Sequence, residues 1–79
     1  MFGPTHEVTS SNIKTLAYDQ ESQTVRVEFK NKKTGETSAV WDYRPMTQQG
    51  FNDWLEADSI GHYFQAHVKG VLAGTKVSG

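Results

Sequence analysis

Serine, histidine and carboxylate side chains are all present in this chain of 79 residues, so hydrolytic, metal and phosphate chemistry can each be tested against residue spacing. A nucleophile needs a base within hydrogen-bond reach and a third group to hold that base, often on a turn such as G-x-S-x-G. No such elbow occurs, and Ser10 and Ser11 stand in "TSSNIK", where hydroxyls turn the chain into a strand. His62 and His67 are five residues apart, a rotation of about 500° on a helix, which separates the two imidazoles around the axis. His6 lies near the start of the chain, and no Cys or Glu completes a zinc-like set with it. The glycines at 35, 50, 61, 70, 74 and 79 match neither the dinucleotide nor the P-loop spacing. The expectation is a non-enzymatic chain with no catalytic residue, no metal and no cofactor.

What remains is binding chemistry. "VWDYR" places Trp41, Tyr43 and Arg44 together, and Trp, Tyr and Arg are the residues enriched at interaction hot spots. Arg26, Lys30, Lys32 and Lys33 precede them, so residues 26–44 hold five cations against Glu28, Glu36 and Asp42. These seven residues, Trp41, Tyr43, Arg44, Arg26, Lys30, Lys32 and Lys33, are the candidate partner-binding set. A protein partner is favoured over nucleic acid, because a net charge of -1 leaves little for counterion release from phosphates. The alternative is a single-stranded nucleic-acid or RNA binder associated with translation, with an aromatic ring for stacking and the lysines on the backbone. Self-pairing through an open sheet edge into a homodimer belongs to the same expectation.

The elements that position these residues follow from periodicity. "TVRVEFK" alternates Val25, Val27 and Phe29 with Arg26, Glu28 and Lys30, the period of a strand with one buried face. "NIKTLAYD" before it and "SAVWDYR" after it carry Leu16 and Tyr18, and Ala39, Trp41 and Tyr43, on one parity, with "DQESQ" and "NKKTGET" as turns between. Pro45 ends the third strand, and Thr47 caps a helix with Phe51, Trp54 and Leu55 on one side. Ser59 caps a second helix bearing Ile60, Phe64 and Val68, which Gly70 stops. The expected class is α+β: a three-stranded antiparallel meander covered on one face by two C-terminal helices. Leu16, Val25, Val27, Phe29, Trp41, Phe51, Leu55 and Phe64 are its expected core. Residues 1–9 and 71–79 lack periodicity and read as flexible terminal segments around a domain of residues 10–70.

Composition agrees with a small globular domain: 35% hydrophobic and 22% charged residues, with no stretch near the ~18 apolar residues of a membrane span. No membrane partner is expected, and the absence of cysteine fits a cytoplasmic setting.

"SSNIKTLAYDQESQTVRVEF", "VWDY" and "ADSIGHYFQAHVKG" together resemble the KTSC domain, a module named for the C-terminus of some lysyl-tRNA synthetases and found as a stand-alone protein in bacteria and phages. The resemblance runs over about residues 9–70. It rests on Ser10-Ser11-Asn12, Leu16-x-Tyr18-Asp19, Val25-x-Val27-x-Phe29 and Ser59-x-Gly61-x-Tyr63-Phe64, with the family's central Tyr-x-Tyr corresponding to Trp41-Asp42-Tyr43. The near-neutral charge and an exposed strand edge, not the resemblance, favour a small protein-binding module of this type, a regulator or inhibitor acting on a larger machine. RNA binding is implied only through the family's attachment to a synthetase.

Overall fold

The computed structural model describes residues Met1–Gly79. The chain runs β1 (His6–Glu7), β2 (Ile13–Asp19), β3 (Thr24–Lys30), β4 (Thr37–Arg44), α1 (Gln48–Leu55), α2 (Ile60–His67) and β5 (Ala73–Ser78). All strands pair antiparallel in the order β1-β2-β3-β4-β5.

The sheet therefore has five strands where three were expected. The central meander and its two covering helices stand as read, and each end of the chain adds one edge strand. Both added strands lie in the stretches that lack hydrophobic period. Every residue of β5 is exposed, so it has no buried face to write an alternation into its sequence. Backbone pairing alone aligns β5 with β4, from Arg44 opposite Ala73 to Trp41 opposite Lys76, with one extra residue, Val77, before Val40 opposite Ser78.

The pairing explains which side chains go inside. Leu16, Val27 and Trp41 lie in one row across the sheet, as do Tyr18, Val25 and Tyr43. Ile13 is also fully buried although it lies three residues from Leu16, because a register shift between Ile13 and Thr15 changes the parity of the strand there. Ser10 prepares this start: its hydroxyl oxygen accepts from the backbone N–H groups of Asn12 and Ile13 at 3.4 Å.

Both helix caps are in place. Thr47 Oγ1 accepts from Gly50 N at 3.0 Å, and Ser59 Oγ accepts from His62 N at 3.2 Å, each satisfying a donor of the first turn. Phe51 of α1 stacks on Tyr18 at 5.1 Å between ring centroids, and Phe64 of α2 meets Phe29 and Tyr43 edge-on at 5.5 Å. Thus α1 lies over β2 while α2 lies over β3 and β4. Trp54, wholly buried, sits between the helices: it stacks with Tyr63 at 5.7 Å, and its indole N–H donates to the Ile60 carbonyl at 3.0 Å.

Of the expected core, Leu16, Val25, Val27, Phe51 and Phe64 are buried, and Phe29, Trp41 and Leu55 pack half-buried against them. Ile13, Tyr18, Tyr43, Met46, Trp54, Ile60 and Val68 complete the cluster. The Tyr18 hydroxyl donates to the Met46 carbonyl, so this core tyrosine brings a partner for its polar end.

Candidate interaction surface

Trp41 and Tyr43 project from β4 on the helix-covered side, and their rings lie 6.1 Å apart and nearly parallel at 18°. Tyr43 is nearly all buried, and burial raises its hydroxyl pKa. It is a core residue and presents no ring face for a partner. Trp41 is half-buried, because no helix passes over β5 beside it. Gly74 stands opposite Tyr43, and a Cβ there would lie 2.7 Å from Tyr43 Cε1 and 3.4 Å from Trp41 Cε3. The edges of the two rings thus lie against the β5 backbone at a residue that must have no side chain.

The five cations do not converge on these rings. Arg26 projects from the helix-free face, where its Nε and Nη2 donate to the two carboxylate oxygens of Asp42 at 2.8 and 3.0 Å. The ring of Phe2 lies 4.2 Å from the guanidinium carbon, and the bond to Asp42 raises the arginine's pKa further. Arg26 is already engaged. On the same face Glu28 accepts from Thr37 Oγ1 at 2.6 Å and Thr15 Oγ1 at 2.8 Å, and these bonds, the Thr37 one first, lower its pKa.

Lys30 ends β3, and Lys32 and Lys33 are exposed in the following turn, which Gly35 closes at φ +75°. Arg44 is at the far end of β4, roughly 23 Å from Thr37 for seven residues of strand. It lines a cleft of about 230 Å³ with Thr24, Asp42 and Thr75. The only ion pairs are Met1 N to Asp19 and Arg26 to Asp42, so Arg44 and Lys76 are unpaired. The structure therefore divides the seven candidates into an aromatic pair on one face, Arg26 and Arg44 on the other, and a lysine group at one hairpin tip.

The feature that sequence reasoning missed is which strand forms the open edge. On one side of the sheet β1 spans only His6–Glu7, close after Pro4, which cannot donate to a partner strand. On the other side β5 presents six residues with an unpaired row of backbone groups. Val71, just before it, and Val77, within it, are 64% and 46% exposed. The available signal was faint: Thr75 and Val77, two β-branched residues on one parity, between Gly70 and Gly79.

Ser59, His62 and Asp58 do share a surface cleft with His67. The Ser59 hydroxyl serves the helix cap, and no hydrogen bond joins it to either imidazole, so the serine has no base to activate it.

Two comparisons place this architecture. The family model described as the KTSC domain matches residues 9–71. The chain belongs to the KTSC domain family. KTSC domains are small and non-catalytic. The crystal structure of a KTSC domain protein from Yersinia pestis is similar at a TM-score of 0.82 and 20% identity, over 99% of this chain and 100% of that one. That likeness is one of fold, and it takes in both ends of the chain. No curated protein matches the sequence. In this KTSC domain both edge strands lie outside the matched span of residues 9–71.

Proposed function

We propose that this KTSC domain is a protein-interaction module, a regulator that docks on a larger assembly by adding a strand of its partner to β5. The observation that carries this reading is the six-residue exposed edge beside the half-buried Trp41. In β-strand addition, main-chain hydrogen bonds supply affinity and alternate side-chain contacts supply specificity, without any requirement for net charge.

Nucleic acid fits the same surface less well. A base stacked on Trp41 would be on the helix-covered face, while Arg26 and Arg44 are on the opposite face and Arg26 is held by Asp42. Phosphates also offer acceptors only, which leaves the carbonyls of β5 without donors.

The test is selection of random heptapeptides against the immobilised chain, followed by NMR mapping of the bound sequences. Selected peptides are expected to lack proline and to shift the amides of residues 73–78 and the Trp41 indole N–H. Peptides that map elsewhere would overturn the reading. So would single-stranded RNA that shifts the amides of Lys30, Lys32 and Lys33 with a steep salt dependence where no peptide binds.

A further inference from the structure

We infer that the strand taken up by β5 is acidic, with two carboxylates three residues apart, one on each face of the sheet, and an apolar residue between them. The inference rests on the reading of β5 as the docking edge and adds the chemistry of the occupant.

Register supplies the spacing. Ala73 to Lys76 pairs with β4 without interruption, ending at the extra residue Val77, so four residues of β5 offer a regular template. Ala73 is opposite Arg44 on the helix-free face, and Lys76 is opposite Trp41 on the helix-covered face. Both cations are free of ion pairs, and residues 69–79 hold Lys69 and Lys76 with no acid among them. A strand added to β5 would run about 9–10 Å from β4, within the combined reach of an arginine and a carboxylate, and Ala73 between them is too small to block it. An incoming residue opposite Ala73 thus faces Arg44, and the one opposite Lys76 faces that ammonium. These two incoming residues are three positions apart and point to opposite faces.

The position between them is shaped by Gly74. Because Gly74 has no side chain and the half-buried Trp41 ring lies beside it, the incoming residue opposite Gly74 meets that ring on the helix-covered face, with Tyr43 buried behind it. An apolar side chain fits there. In an antiparallel partner the pattern reads acid-x-apolar-acid, and in a parallel partner acid-apolar-x-acid.

Only a strand at the edge can reach both faces at once, which is why Arg44 and Lys76 point to a peptide and not to a flat anionic surface. The same cations disfavour a second copy of this chain, whose own β5 would bring Arg44 and Lys76 toward their like.

The experiment titrates the intact chain with acetylated, amidated heptapeptides Thr-Glu-Thr-Val-Glu-Thr-Thr and Thr-Glu-Val-Thr-Glu-Thr-Thr. Controls replace both Glu by Lys, or move the second Glu so that both acids share a face. Binding is read from the amide shifts of residues 73–78 at low and moderate salt. One acidic peptide is expected to bind roughly tenfold tighter than its Lys counterpart, with the gap shrinking at higher salt. Arg44→Glu with Lys76→Glu, both in exposed positions, should reverse the preference while circular dichroism stays unchanged. Equal binding of the acidic, Lys and same-face peptides would overturn the charge assignment and leave strand addition standing. No β5 shift with any peptide would overturn both. Dimerisation that protects the β5 amides in the free chain would assign the edge to a second copy and overturn the acidic partner.

Discussion

β2 and β3 form a hairpin in which Ile13, Leu16, Val25 and Val27 are wholly removed from solvent, whereas β5 returns after both helices to pair with β4 and is exposed along its whole length. Both pairs are joined by backbone pairing along their length, each with one register shift. The difference is the layer above. α1 and α2 place Phe51 and Phe64 over β2, β3 and β4, and nothing crosses β5. One pair of strands is held by burial and the other by hydrogen bonds and a few ring contacts, so stability belongs to the first and accessibility to the second.

That division predicts a graded response to substitution. Trp54→Ala removes the side chain that joins the two helices, and it should cost about 3–5 kcal/mol, a large part of the stability of so small a domain. Urea denaturation measures it, and a loss below about 1 kcal/mol would show that the helices do not secure the buried hairpin. Phe29→Ala, at a half-buried position against Phe64, should cost less, about 2–3 kcal/mol.

Gly74→Val should act on the β4–β5 pair alone. Its Cβ would be forced onto Tyr43, at an expected cost of about 1–3 kcal/mol. Hydrogen exchange should then show unprotected amides at residues 73–78 with β2 and β3 unchanged; global unfolding would mean that β5 is part of the core after all. Trp41→Ala should destabilise by about 1–2 kcal/mol, since only part of the ring is buried, and should weaken peptide binding at β5 more than it lowers stability.

The smallest effects lie on the helix-free face. Because bonds from Thr37 and Thr15 hold the Glu28 pKa below its unfolded value, Glu28 contributes stability that is present above about pH 4.3 and lost as pH falls through the lower folded value. Glu28→Gln should flatten that acid limb of the stability curve. A double-mutant cycle on Arg26 and Asp42, both partly exposed, should return less than about 1 kcal/mol.

The alternation in residues 24–30, the proline at 45 and the caps at Thr47 and Ser59 were enough to place the meander and both helices, because each is local chemistry with one buried face. Ile13 was less legible, since a bulge moved it onto the buried face against its parity. The candidate site was legible in part. "WDYR" marked Trp41 and Arg44, yet nothing in residue types distinguished half-buried Trp41 from buried Tyr43 two residues on. Nor did the sequence separate Arg26, clamped by Asp42 across the strand pair, from Arg44, which has no partner.

By itself the sequence determined a small domain with one apolar face on each layer, capped helices and no assembled catalytic set, because those properties depend on residues within a few positions of one another. Cross-strand pairing decided the rest. The fourth and fifth strands' register sets Gly74 under Tyr43, Lys76 beside Trp41 and Ala73 beside Arg44, residues 29 to 35 positions apart in the chain. An exposed strand has no buried face to imprint a hydrophobic period, so only the backbone partner it finds across the sheet makes β5 a strand and its outer side an edge.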